Sequence, residues 1–362
     1  MKKIIFSLLI ATGLYLPSAA GAADFTPAIT AYAEDFVIPT YEDLIAKAEN
    51  MEAAAEALCA APDEDRYRAA TNHFTALVGS WSQAELIRMG PVRSKNRFEK
   101  LFFWPDARSR GLKQVQRLLA GKSDEVRETM NGLSHASVAV QGLPALEYLL
   151  LSGDKDKTVA FATEGTRCIM VRGIATNIHT LAREVLGEWQ GGEGFAKVLE
   201  KADADNPLYR SDAEVMQDIL RMPAELLQIL EESKIRSSLG KSIEKSRGKR
   251  APFWRSDLAL QNFEGNLNTL KRLMDILNLD QFIADDASHL NNSLQFEMRQ
   301  VAGVFDRLSS KKLSWPYLLK DPEGYEQLGY VQFPLQGVRN IISEQYPEAL
   351  GLQLGFNSLD GD

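Results

Sequence analysis

One acidic residue stands inside an otherwise apolar run, Gln141-Gly142-Leu143-Pro144-Ala145-Leu146-Glu147-Tyr148-Leu149-Leu150. A carboxylate in such a place is costly to bury unless it is paired with a cation, hydrogen-bonded or coordinating a metal. Glu147 is therefore the first candidate for chemistry, either as a ligand or metal carboxylate or as the partner of an interior arginine. Pro144 removes a backbone donor and frees a carbonyl about one turn earlier, which predicts a kinked polar site.

Two further segments carry more than packing. Arg88-Met89-Gly90-Pro91, then Arg97, then Phe103-Trp104-Pro105-Asp106 is rich in Arg, aromatics and Pro for a helix connection. Rigid rings and a fixed proline φ can hold a site, so Arg88, Arg97, Trp104 and Asp106 are candidate ligand contacts. For Asp106 the alternative is the cap of the next helix. The basic run Lys241 to Arg250 leads into Phe253-Trp254-Arg255-Ser256. A short basic run is ordinarily a solvated loop. Followed by Ser256 and amides at a helix start it predicts an anion site, with Arg255 as counter-charge. The end, Gly355 to Asp362, could cap basic residues, join a cation site or fray.

Other chemistries find no support. His73, His135, His179 and His289 form neither an HxxxH nor an HExxH pair, so a metalloprotease-type zinc site is not indicated. No GxSxG, P-loop or GxGxxG pattern stands in a suitable context, and no Ser/His/Asp set can be picked out.

These residues must be positioned by helices. Apolar residues recur three or four apart over Tyr41 to Ala60, Asp65 to Met89, Lys157 to Trp189, Asp212 to Leu239, Arg255 to Leu277 and Ala287 to Leu308. Thr40, Ser211 and Asp286 read as caps, and Gly90-Pro91, Gly111, Gly191-Gly192 and Gly240 as stops. The fold class expected is all-α, built of helix bundles. The polar stretch Ala202 to Pro207 predicts a boundary, giving halves 23–205 and 206–362.

The chain has 362 residues, 45% hydrophobic and 25% charged, the composition of a globular protein of about two domains. Its net charge of −8 argues against a nucleic-acid partner. Lys2 and Lys3, the apolar run Ile4 to Leu16 and the small residues up to Ala22 read as a cleaved signal, residues 1–22. Loss of the two lysines would leave the mature chain still more acidic. No later stretch reaches the ~20 apolar residues of a transmembrane helix, so the product is expected to be exported, soluble and periplasmic. In that oxidising compartment Cys59 and Cys168 read as a disulfide or, failing that, as two buried thiols. Neither has an activating His or basic pair beside it.

Together, Arg88-Met89-Gly90-Pro91, Phe103-Trp104-Pro105-Asp106, the Gly142 to Leu150 run, Phe253-Trp254-Arg255-Ser256 and the Gly355 to Asp362 end resemble the imelysin-like family of exported bacterial proteins. The resemblance covers nearly the whole mature chain. It implies two related helical bundles, a site between them, a link to iron uptake and a Cys59–Cys168 pair. The family motif is Gly-x-His-x-x-Glu. Here Gly142 and Glu147 stand in their places, but Pro144 occupies the histidine position. A His/Glu metal pair is thus missing, which disfavours the metallopeptidase activity attributed to some members. The residues and the missing histidine together lead to the expectation of a non-enzymatic protein that binds a small ligand or a metal ion, iron being the metal that the resemblance implies, with envelope iron-uptake proteins as partners. Glu147 would be its metal carboxylate, and Arg88, Arg97, Trp104, Asp106, Arg255 and Ser256 its other ligand contacts.

Overall fold

Apolar side chains that recur every three or four residues share one face only if the backbone coils as a helix. The structure, a computed structural model, describes residues 24–106, 108–152, 157–284 and 287–352, and among them no strand occurs. The all-α expectation holds. The leader 1–22, Asp286 and the Gly355 to Asp362 end lie outside the described residues.

The long helices are Ile38–Ala60, Glu64–Ala84, Gly165–Gln190, Asp212–Gln228, Ala259–Leu277 and His289–Ser310. Ser211 caps as expected: its hydroxyl accepts from Glu214 N at 3.4 Å, and the Glu214 carboxylate accepts from Arg210 N at 2.7 Å. Thr40 does not. Helical backbone already runs through Thr26–Ala31 and the π-helical turn Tyr32–Val37, and the Thr40 hydroxyl donates to Phe36 O within it. A threonine satisfied by the carbonyl one turn back needs no helix end. Gly111 lies inside the helix Arg110–Leu119, where the Phe103 ring would meet any added Cβ. Pro144 produces no kink either. It sits in the first turn of the helix Leu143–Leu151, where its missing N–H costs no intrahelical bond.

The helices Ile38–Ala60, Glu64–Ala84 and Gly165–Gln190 pack side by side. Cys59 and Cys168 join the first and third of these as a disulfide, with Cα atoms 5.4 Å apart and a separation of 109 positions in sequence. Closing a loop of ~100 residues stabilises by ~4–5 kcal/mol in the chain-entropy view. The Glu64–Ala84 helix also packs on Ala259–Leu277, and the buried apolar residues form one continuous cluster across both halves of the chain. At the sequence boundary the Asn206 side chain is buried. Its amide donates to Val198 O and Lys201 O, and its carbonyl accepts from Leu208 N and Tyr209 N. The stretch is a tied turn. No helix among the described residues is long and apolar enough to cross a membrane.

An aromatic file carries this scaffold to the site. Trp81 contacts Phe102 at 5.5 Å between ring centroids, and Phe102 stacks on Phe253 at 5.3 Å and on Trp104 at 6.0 Å. Such pairs contribute about 0.5–1.5 kcal/mol each beyond their buried area. They lock the 102–104 segment against the 253 loop.

Candidate functional site

Gly142 begins the site. Its φ of 82° lies in the left-handed region, and a Cβ there would run into the carbonyl oxygens of Lys100 and Leu101. Only glycine lets the chain turn beneath that backbone and start the helix Leu143–Leu151. One turn on, this helix presents Glu147 to the Phe253–Ser256 loop.

Glu147 is 2% exposed. Its Oε1 accepts from Arg255 N at 3.1 Å, Ser256 N at 2.9 Å and Ser256 Oγ at 2.7 Å. Its Oε2 lies 3.7 Å from Arg255 Nη1. The loop that offers these donors turns through left-handed backbone at Phe253 and Asp257. The donors of Phe253-Trp254-Arg255-Ser256 do converge on an anion, the chain's own Glu147. They do so in a turn that precedes the helix Ala259–Leu277 and not, as expected, at a helix start at Arg255. Ser256 is a partner of Glu147. The expected role of Glu147 as a metal carboxylate fares poorly in this geometry: one oxygen is saturated by three donors and the other faces a guanidinium. That donor set suits an anion and does not fit a cation. No group of three or more His, Cys, Asp or Glu side chains suited to a metal occurs among the described residues.

Burial pushes the Glu147 carboxyl above its ordinary 4.5, and the Ser256 and Arg255 donors only partly oppose it. A folded-state value above the unfolded one gives stability that is complete below pH 4.5 and is lost as the pH rises through the folded value. Glu147→Gln keeps an oxygen acceptor and removes this loss. The variant is expected to gain stability relative to the parent between pH 4.5 and pH 7 in urea titrations. A relative loss over that interval would show that the loop holds the carboxylate below its ordinary value.

Beside Glu147 opens a cleft of about 990 Å³. One wall comes from the first half of the chain, through Phe103, Trp104, Asp106 and Tyr148. The other comes from the second half, through Arg247 to Arg255. The Trp104 indole donates to Arg250 O at 3.2 Å and so ties the walls together. Asp106 accepts from Arg110 N at 2.8 Å and Leu112 N at 3.0 Å, which makes it the cap that its sequence position also allowed. Arg255 lies over the rings of Trp254 at 4.5 Å and Tyr148 at 5.6 Å.

The structure thus brings Trp104, Asp106, Glu147 and Arg255 to one cleft, with Ser256 behind it. Arg97 and Arg88 are not part of it. Arg97 is buried against Glu184 at 3.1 Å, Glu188 at 2.9 Å and Pro91 O at 3.0 Å, where it secures the connection to Gly165–Gln190. Arg88 lies 4.5 Å over the Phe98 ring and 3.8 Å from Glu85, beside a second cavity of about 840 Å³. Each of these arginines is held by carboxylates or rings of its own neighbourhood, which keeps it away from Glu147.

A buried polar centre lies apart from the residues that the sequence singles out. Lys234 lies in the π-helical turn Ile229–Arg236 and is fully buried with Glu85. Its Nζ donates to Glu85 Oε2 at 2.8 Å, Asn262 Oδ1 at 2.7 Å and Asn266 Oδ1 at 2.6 Å. Burial, against the pull of Glu85, brings Lys234 down to about 8. Burial would raise Glu85, but the charges of Lys234 and Arg88 outweigh it and hold the carboxyl below its ordinary value. Lys234 sits 5.9 Å from the Trp104 ring, at the back of the cleft wall. The i, i+4 pair Asn262 and Asn266 on an otherwise apolar helix face was the one sequence signal for this centre.

The sequence profile of imelysin matches residues 37–335. Among solved structures, an imelysin-like protein from Psychrobacter arcticum 273-4 superposes with a TM-score of 0.74 at 20% identity, covering 92% of this chain and 99% of that one. A protein from Parabacteroides distasonis ATCC 8503, named as an iron-regulated protein A precursor, superposes with a TM-score of 0.69 at 12% identity, covering 90% and 97%. At these identities the likeness is one of fold. No curated protein matches the chain.

Proposed function

The chain belongs to the imelysin family, and from that premise we propose that it is an exported, periplasmic, non-enzymatic protein that holds a small ligand in the cleft between its halves 23–205 and 206–362. The observation that carries the reading is the cleft itself. It is walled by both halves, lies against the only Gly-x-x-x-x-Glu element that matches the family motif, and has a volume in the range of small-molecule sites. Pro144 lines it where the motif has histidine, and Glu147 is engaged by the loop donors, so neither supplies a base or a metal ligand. Glu147 acts as a positioning residue that fixes the Arg255 wall. The iron-regulated name of one structural relative supports a role in iron acquisition, exercised through a bound compound or through envelope iron-uptake proteins.

Three measurements test this reading. Protein isolated from its native envelope should release a small molecule on denaturation. A thermal-shift screen of neutral, cationic and anionic compounds should find stabilisation that Trp104→Ala removes; a ligand at a hundred times its Kd stabilises by about 2.7 kcal/mol. A screen in which no compound stabilises the parent would sink the proposal. Equal abundance in iron-replete and iron-starved cells would detach the protein from iron acquisition.

A further inference from the structure

Resting on the reading of the cleft as a ligand site, we infer that its occupant is a planar organic polyanion, an aromatic or conjugated body bearing two or more carboxylate-like groups. The charge argument comes first. The chain as a whole is acidic, yet Arg247, Lys249, Arg250 and Arg255 all line this one cleft. The acids beside them are already engaged: Asp106 by the amides of Arg110 and Leu112, Glu147 by the amides of Arg255 and Ser256, and Glu232 3.7 Å from Arg339. Among the described residues no ion pair involves Arg247, Lys249 or Arg250.

Three like charges within four residues repel one another, and a free loop would let them spread. This loop is held. Trp315 donates its indole N–H to Gly248 O at 3.1 Å, Trp104 to Arg250 O at 3.2 Å, and Arg247 N to Ser238 O at 2.7 Å. The backbone of a cationic segment is thereby fixed by neutral donors while its charged ends stay at the rim. A site with such prepaid repulsion gains by taking up an anion. The second argument is shape. Between the cations lie flat faces, Phe103, Trp104 and Tyr148 on one wall and Trp254 on the other, with Lys249 Nζ 5.4 Å from the Trp254 ring. Rings attract the flat face of an apolar body, while the cations take its acidic edge.

Benzene-1,2,4,5-tetracarboxylate is the probe, titrated calorimetrically into the full chain beside two comparators, propane-1,2,3-tricarboxylate and trimethylphenylammonium. The aromatic polyanion should bind at least about tenfold tighter than either, and more weakly as salt is added. The triple change Arg247→Gln, Lys249→Gln, Arg250→Gln touches only exposed side chains and relieves their repulsion, so the melting temperature without ligand should not fall while affinity falls at least about tenfold. Trp254→Phe should retain binding, and Trp254→Ala should lose most of it. Absence of binding by the tetracarboxylate, equal binding of trimethylphenylammonium, or parent affinity in the triple variant would each overturn the inference. If neutral or cationic compounds stabilise the parent and Trp104→Ala removes the effect, the cleft reading stands and only the ligand class falls.

Discussion

Lys234→Met is expected to destabilise the protein by about 3–5 kcal/mol, because it removes the one cation hydrogen-bonded to the buried Glu85 and leaves only Arg88, 3.8 Å away, to offset its charge. The ammonium makes three hydrogen bonds, and all of its partners are buried. The double change Glu85→Gln, Lys234→Met removes both charges together, and replacing a buried pair by neutral groups of similar volume is commonly near neutral. The double variant should therefore be more stable than Lys234→Met alone, a non-additivity readable in urea or guanidinium titrations. The pH response gives an independent check. Glu85 is held below its ordinary 4.5, so its contribution is present above pH 4.5 and is lost as the pH falls through the folded value. The parent should lose stability on acidification more steeply than the double variant. Additive single effects, or identical acid responses, would show that the pair does not act as a unit.

Gly142→Ala is expected to cost more than about 4 kcal/mol, or to prevent folding of the 100–150 region altogether. Two penalties coincide. A φ of 82° is strained for any L side chain, and the new methyl would overlap the backbone oxygens of Lys100 and Leu101, which cannot swing aside as a flexible side chain can. Gly329→Ala is the control, since a Cβ there meets nothing within 4 Å and the residue is in the helix Pro322–Tyr330. It should be neutral or slightly stabilising. Circular dichroism and thermal melts of the two variants make the comparison. A Gly142→Ala protein that melts with the parent would mean that the turn before Glu147 can be rebuilt. The glycine of the motif would then not be required by backbone geometry.

Both variants act on positions that hold the cleft. Gly142 sets the helix that presents Glu147, Glu147 fixes the Arg255–Ser256 backbone, and the Lys234 centre backs the Trp104 wall. The conspicuous carboxylate therefore shapes the site from within, and the groups left free to meet a ligand are rings and cations.

Residue types and local spacing sufficed for the helical class, the Ser211 cap, the disulfide as one of two readings of the cysteines, and the segments that wall the cleft, since each rests on groups a few residues apart or on a single strongly biased run. Pro144 and Gly111 misled because a proline or glycine reads alike at either end of a helix until the neighbouring backbone is placed. The meeting of Glu147 with Ser256, 109 residues away, and of Glu85 with Lys234, 149 residues away, was decided by tertiary packing alone. So was the exclusion of Arg88 and Arg97 from the cleft. An arginine can reach any carboxylate within several ångströms, and only the packed helices determine which one is there. Sequence by itself determined that a buried carboxylate and a basic aromatic loop each needed a partner; the fold decided that they would be each other's, because the N–H donors of a tight left-handed loop and a desolvated carboxylate are the cheapest way to satisfy both.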